Sequence, residues 1–370
     1  MKKLLQLKTL AYMGTVVLVS VPLSLLIFPL CVPKFQAPGV QRQLYAIRLQ
    51  DLRDNNPLYT DLFLKSIKDN NGYLILGTSE TESKPNGNYA DFLNGDTSLN
   101  CRFSVISAAG KTSSTYFPLI QSNENVHGLK LIYFINPTYW CNKFARNGAE
   151  YFHRYTSYTC YRKSNIPKDE QVDHILHVNL KGVRPSERIG DFLSFYTDRL
   201  RLSFYQDFRF NHHPEKFQNG LVFVAEKFRY QSYPFYGKID SAHYNLDLNV
   251  KTSFNIHKYT FTVDTESSYR YDELRTMIAL CKKHHVDVTF VIGPYNAVAF
   301  EKMHPSEIPH LENVCHQIQY ILDNEKMPYV NAVDISSMSG TFDDWQHHSS
   351  YGAYLIYQKI KDYVLEKESR

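Results

Sequence analysis

The chain has 370 residues, with 41 Lys and Arg against 37 Asp and Glu for a net charge of +4. That length suits one elaborated α/β domain or two modest ones, with room for a substantial core. The near-neutral balance points away from a polyanionic partner such as nucleic acid, and an abundance of Tyr and Phe beside only 2 Trp says little about chemistry.

From Thr9 to Pro33 the chain carries no charge, and Val16–Val19, Leu25–Phe28 and Leu30 make the stretch apolar. As a helix it is long enough to span a bilayer. Lys2, Lys3 and Lys8 precede it, which predicts a cytoplasmic amino terminus and an extracytoplasmic remainder. No small-x-small site follows the run, and Pro29-Leu30 lacks the small residues expected before a lipidated cysteine at Cys31. An uncleaved anchor over residues 1–35 is therefore preferred to a signal peptide, with residues 36–370 as one extracytoplasmic domain. Cys101, Cys141, Cys160, Cys281 and Cys315 lie in that domain. In an oxidising compartment an odd number leaves at least one thiol unpaired or intermolecular, and the absence of C-x-x-C gives no support to structural zinc.

Residues 41–68 read as a lead-in from anchor to domain, with helical spacing from Tyr59 to Ile67 and Leu62, Leu64 and Ile67 as core contacts. Tyr73-Leu74-Ile75-Leu76 predicts a buried strand ending on Gly77-Thr78-Ser79-Glu80. A turn-rich loop, Lys84-Pro85-Asn86-Gly87-Asn88, separates it from a second strand, Phe103–Ser107, which runs into small residues around Gly110. A helical turn or two fits within Thr115–Gln121, and a third strand, Leu129–Ile135, ends at Asn136-Pro137. Strand and crossover in alternation predict a parallel sheet with helices on its faces. Ligands of such sheets bind beyond the carboxyl ends of the strands, where Ser79, Gly110 and Asn136 fall.

From about 141 to 264 the pattern changes. Pro185–Asp207 reads as helix, while Lys227-Phe228-Arg229-Tyr230 and Tyr233–Gly237 interleave aromatic and basic residues. This region is expected to be an insertion whose surface serves as a lid, a substrate groove or a membrane-facing patch, or is simply a solvated face over ordinary buried aromatics. The α/β pattern then resumes: helix Ser268–His285, strand Val286–Ile292 ending at Gly293-Pro294-Tyr295-Asn296, helix Ile308–Glu325, a short strand Tyr329–Asp334 and a closing helix Ser350–Glu366.

A serine hydroxyl attacks only when a base takes its proton, and the imidazole needs a partner to fix its tautomer. Asp344 and His347 stand three apart in the loop entering the last helix, on the predicted edge that carries Ser79. The expected arrangement has Asp344 orienting His347 and His347 facing Ser79. The amides of Ser79 and Gly110 and the side chain of Asn136 would donate to a developing oxyanion. Asp240 and His243 repeat the spacing inside the insertion, but only Asp344 and His347 follow a last strand. His348 and Asp343 are the adjacent alternatives, set aside for the three-residue spacing and for Gly352. For Ser79 alone the plain alternative is a helix cap, and for Asn296 a turn. His212-His213, His284-His285 and His304 lack partners at ligand spacing, so neither metal nor cofactor is expected.

A serine after the first strand, a glycine after the second, an asparagine after the third and D-x-x-H before the last helix resembles the order of SGNH (GDSL-type) hydrolases. More narrowly, the chain resembles the DltD family, membrane-anchored proteins of teichoic-acid D-alanylation. The likeness rests on the anchor, Gly77-Thr78-Ser79-Glu80 where the family has G-S-S-E, Asn136-Pro137-Thr138-Tyr139-Trp140 where it has an S-P-Q-W-F-like run, and Asp344-x-x-His347 with Gly352. It implies a flavodoxin-like three-layer sandwich around a central parallel sheet, with Ser79 as nucleophile, His347 as base and Asp344 as orienting acid. It further implies an acyl or D-alanyl group passed through an acyl-serine to a cell-envelope glycan or teichoic-acid hydroxyl, beside a membrane-bound O-acyltransferase and an acyl carrier protein. The G-D-S form is absent and Asn136 stands where the narrower family commonly has serine, which leaves other acceptors open. Two alternatives are a non-catalytic accessory of a membrane O-acyltransferase and a glycan O-deacylase.

Overall fold

A computed structural model of the chain describes residues 2–31, 46–48, 57–81, 87–107, 113–122, 124–140, 193 and 268–369. Gly110 and the predicted insertion, with its helix at 185–207 and its Asp240 and His243, lie outside these residues, apart from Leu193. Six strands form the sheet: β1 (Ala46–Arg48), β2 (Tyr73–Gly77), β3 (Phe103–Ser107), β4 (Lys130–Ile135), β5 (Asp287–Ile292) and β6 (Tyr329–Asn331). Their order is β1-β3-β2-β4-β5-β6, and every pairing is parallel. The helices are α1 (Lys2–Cys31), α2 (Pro57–Asp69), α3 (Tyr89–Gly95), α4 (Phe117–Ser122), α5 (Pro137–Trp140), α6 (Ser268–Lys283), α7 (Ala297–Met303), α8 (Ile308–Asn324) and α9 (Ser350–Glu368).

The two-residue period of a strand divides the apolar residues between two cores. Leu74 and Leu76 of β2 point to the same side as Leu131, Tyr133 and Ile135 of β4 and Val288, Phe290 and Ile292 of β5. On that side α2, α6 and α8 lay down Phe63, Leu64 and Ile67, then Leu274, Met277 and Ile278, then Leu311, Val314 and Ile318. Tyr73 and Ile75 point the other way, with Ile132, Phe134 and Val291, beneath α3 and α9. Each fully buried Leu or Ile of these helices contributes about 1.5–3 kcal/mol. Both faces of the sheet are thus apolar and covered, which is why its strands read as continuous hydrophobic runs.

Three helix-to-strand junctions are built alike. Asn71, His285 and Lys326 adopt positive φ of 51°, 51° and 53°. In each case the next amide reaches back five residues: Gly72 N to Ile67 O at 2.9 Å, Val286 N to Cys281 O at 2.8 Å and Met327 N to Leu322 O at 2.8 Å. This closes the last turn of α2, α6 and α8 and feeds β2, β5 and β6. On the opposite face, Asp96 at the end of α3 accepts from Tyr357 and pairs with Lys361 at 2.6 Å, tying α3 to α9. Burial raises its carboxyl, but the bonds from Lys361, Tyr357 and Ser98 outweigh that and hold it well below the usual carboxylate range.

The structure adds elements that the sequence did not signal. Strand β1, three residues on a sheet edge, lies in the stretch read as a lead-in. It is too short for a period to register. Helix α3 follows the turn-rich loop and starts at a reciprocal cap, where Asn88 Oδ1 accepts from Tyr89 N at 2.8 Å and Asn88 N donates to Asp91 Oδ2 at 2.7 Å. The sixth strand stops at Asn331, because Val333–Ser337 turns into 3-10 helix. Cys101, Cys281 and Cys315 are buried, and no disulfide forms among the described residues.

Helix α1 is apolar around its circumference, and Tyr12, Leu18 and Leu30 are more than two-thirds exposed. An all-round apolar helix is one that belongs inside a larger core or a bilayer. Over the described residues alone no helix is long and apolar enough to cross a membrane. The side chains of Leu10, Val17, Val21, Leu25 and Leu26, among others, fall outside that description. By sequence the uncharged part of the helix, residues 9–31, extends about 34 Å at 1.5 Å per residue.

Lys326 is the least suited of the three left-handed residues, since a Cβ in that conformation costs roughly 1–2 kcal/mol that glycine avoids. Lys326→Gly is expected to stabilise the domain by about 0.5–1 kcal/mol after the greater unfolded-state freedom of glycine is subtracted. Denaturant midpoints of the two proteins measure it, and a lowered midpoint would reject the assignment.

Candidate active site

Strand β2 is hydrogen-bonded on both edges and buried on both faces, so its polar continuation surfaces only beyond Gly77. There the backbone turns at once into a 3-10 helix, Ser79–Thr81. Thr81 N and Thr81 Oγ1 both donate to Thr78 O, at 3.0 and 2.8 Å, and Thr78 Oγ1 donates to the buried Glu80 carboxylate. Tyr116 OH donates to Gly77 O, and Asn88 Nδ2 donates to Glu80 O. A Cβ on Gly77 would stand 2.0 Å from Thr81 Cγ2, so this tight return requires glycine unless Thr81 moves. Thr78, Glu80 and Thr81 are inside; Ser79 alone is half-exposed at the rim.

The second half of the site is the loop between β6 and α9. Its base is closed by an antiparallel bridge of Phe342 with His348, by Asp343 N donating to His347 O at 2.9 Å, and by Ser349 N donating to Thr341 O at 3.0 Å. Ser349 then caps α9, accepting from Gly352 N at 3.1 Å and donating to Gly340 O at 2.6 Å. Trp345 is buried in the first core. His348 is buried with its ring against Phe134 and Phe342, at 5.6 and 5.0 Å between centroids. With those two side chains directed inward, Asp344 and His347 are left at the rim.

Ser79 Oγ lies 2.8 Å from His347 Nε2, across 268 positions of sequence. His347 Nδ1 lies 2.7 Å from Asp344 Oδ2, while Asp344 Oδ1 accepts from the amides of His347 and Gln346 at 2.7 and 2.9 Å. Burial raises the Asp344 carboxyl, but the side-chain and backbone bonds from His347, then Gln346 N, outweigh it and hold the group below the ordinary carboxylate range. It is therefore ionised at neutral pH and accepts the Nδ1 proton, which turns the lone pair of Nε2 toward Ser79. Gln346 Nε2 is also near that nitrogen, at 3.3 Å.

Of the other predicted site residues, Asn136 is buried just beyond β4. Its Oδ1 accepts from Thr138 N at 3.0 Å, and its Nδ2 approaches Gln346 O at 3.5 Å. Gly110 is outside the described residues. The adjacent alternatives separate: His348 is interior, whereas His347 faces the serine. Asn296, read first as a turn residue, caps α7 and also donates to Asp344 O at 2.9 Å. Among the described residues no three His, Cys, Asp or Glu gather to hold a metal ion.

The chain matches no protein-family model and no curated protein. What the site can do follows from its own geometry: a half-exposed hydroxyl hydrogen-bonded to an imidazole that a carboxylate orients.

Gly352 supplies a test of how the loop is seated. A Cβ there would come within 2.0 Å of Thr341 O, a backbone atom. Gly352→Ala is expected to push the start of α9 off the loop and to cost about 1–3 kcal/mol. A denaturation midpoint unchanged from the unaltered protein would refute this packing.

Proposed function

We propose that the protein is a membrane-anchored, extracytoplasmic serine acyltransferase or esterase of the SGNH class. The observation that carries the reading is the hydrogen bond of Ser79 Oγ to His347 Nε2 at the carboxyl edge of a parallel sheet, with Asp344 behind the imidazole. The strand order supports it as well. Without the edge strand β1 it is β3-β2-β4-β5-β6, the flavodoxin-like arrangement in which ligands bind at the carboxyl ends.

In this reading His347 Nε2 takes the hydroxyl proton as Ser79 Oγ attacks the carbonyl carbon of a donor ester or thioester. The amide of Ser79, with Gly110 and Asn136, stabilises the oxyanion. Collapse breaks the bond to the leaving group, which receives the proton from His347 and leaves an acyl-Ser79 ester. An acceptor hydroxyl then gives its proton to the same nitrogen and takes the acyl group, and Ser79 recovers its hydrogen. With a sugar or polyol hydroxyl of a cell-envelope glycan or teichoic acid the outcome is transfer, and with water it is hydrolysis. No cofactor enters these steps. An acyl carrier protein and a membrane O-acyltransferase are the proposed partners in supplying the acyl group. The apolar α1 supports anchorage, with Lys2, Lys3 and Lys8 on the cytoplasmic side.

A fluorophosphonate probe tests the chemistry. Ser79 is expected to be the labelled residue, Ser79→Ala to abolish labelling, and His347→Ala or Asp344→Asn to slow it on the order of 10³–10⁴-fold. Label that survives Ser79→Ala would end the proposal. The anchorage has its own assay: the full chain should stay in the membrane pellet after an alkaline carbonate wash, whereas a chain starting at residue 36 should be released. Full release of the unaltered protein would contradict it.

A further inference from the structure

We propose that Asn296 is a positioning residue: its side-chain amide holds the Asp344–His347 loop at the depth where His347 meets Ser79. The inference rests on the reading of Ser79 and His347 as nucleophile and base.

Asp344 and His347 lie on a short loop, and an imidazole displaced by one ångström no longer makes a 2.8 Å bond to Ser79. Something must therefore fix the loop backbone from the sheet side. The bridge of Phe342 with His348 closes the loop only at its base. At the segment carrying the acid and base, two carbonyls are met by asparagine amides. Asp344 O accepts from Asn296 Nδ2 at 2.9 Å, and Gln346 O is approached by Asn136 Nδ2 at 3.5 Å. These two carbonyls flank Trp345, which the core already fixes.

The two asparagines are placed alike. Strands β4 and β5 end in register, Ile135 beside Ile292, and Gly293 N donates to Ile135 O at 2.8 Å, which extends the pairing one step beyond the strands. Each asparagine stands past its strand end, is buried, and uses Oδ1 to cap the helix that follows: Asn136 for Thr138 N at 3.0 Å, Asn296 for Ala299 N at 3.0 Å. The oxygen of each side chain thus belongs to the scaffold and the nitrogen faces the loop. Asn296 makes the shorter bond, and the residue it holds is the acid itself. Tyr295 N donates to Ser336 Oγ at 3.1 Å, which fastens the turn that presents it. A turn needs only a residue tolerant of the backbone, and a cap needs only the oxygen. The amide nitrogen directed at Asp344 O is explained by neither.

This division of roles provides the test. Aspartate caps a helix as well as asparagine does but offers no hydrogen to a carbonyl. In the full chain, Asn296→Asp is expected to stay folded with a lowered thermal midpoint, because Asp344 O loses its donor, and to slow fluorophosphonate labelling of Ser79 by about 10- to 100-fold, the range for a small misplacement of a catalytic group. In a His347→Ala background the same change should have no further effect, because the group it positions is gone. A readout independent of catalysis is the downfield proton resonance of His347 Nδ1, identified by its loss in His347→Ala. Asn296→Asp should broaden or abolish it by opening the loop to water. Labelling at the unaltered rate together with an unchanged resonance would overturn the proposal, as would a loss of labelling that persists in full in the His347→Ala background. Should Ser79 fail to label in the unaltered protein, the reading of function falls, and the resonance still decides the role of Asn296.

Discussion

The structure depends on the enclosure of one strand. β2 has a parallel neighbour on each edge and a core against each face, so no atom of Leu74, Ile75 or Leu76 reaches solvent. The backbone emerges only where the strand stops, and parallel pairing sets the ends of β3, β4 and β5 along the same rim. Polar side chains that a doubly covered sheet excludes from its interior are thereby collected at one edge. The serine, the two asparagines and the Asp344–His347 loop meet there as a consequence of how the apolar residues are buried.

The other constraint at that edge is that buried polar groups must be paired. Thr78, Thr81, Asn88 and Tyr116 hydrogen-bond the turn that carries Ser79, and Ser349 and Asn296 hydrogen-bond the loop that carries His347. Ser79 and His347 thus stand on segments fastened to the scaffold by hydrogen bonds of their neighbours. At the rim the Ser79 hydroxyl meets the His347 imidazole, which has Asp344 behind it and Gln346 beside it.

Much of the sheet was legible in the sequence because β2, β3, β4 and β5 are apolar runs of five or six residues closed by Gly, Asn or small polar residues. The helices α6, α8 and α9 were legible because their buried residues recur at helical spacing over four turns or more. What escaped lay below the length at which a period registers: β1 with three residues, α3 and α7 with seven each. The site divides in the same way. Ser79, Asp344 and His347 could be proposed from position and spacing, because nucleophile, base and acid are recognisable residue types. The second task of Asn296 could not, since its bond to Asp344 O joins residues 48 apart and no local pattern encodes it. The choice of His347 over His348 has a physical reason visible only in three dimensions, where the rings of Phe134 and Phe342 enclose His348.

The span of 268 positions between Ser79 and His347 also bears on assembly. The pairing of Lys130 with Asp287 brings together residues remote in sequence, and non-local strand pairs of this kind form late relative to local ones. His347 lies beyond β6, so its ring reaches Ser79 only after the carboxyl-terminal half has joined the sheet. Until then the serine emerges from synthesis as an ordinary alcohol. The hydrogen bond between Ser79 and His347 comes into being with the finished domain, and an incomplete chain carries the serine without its imidazole partner.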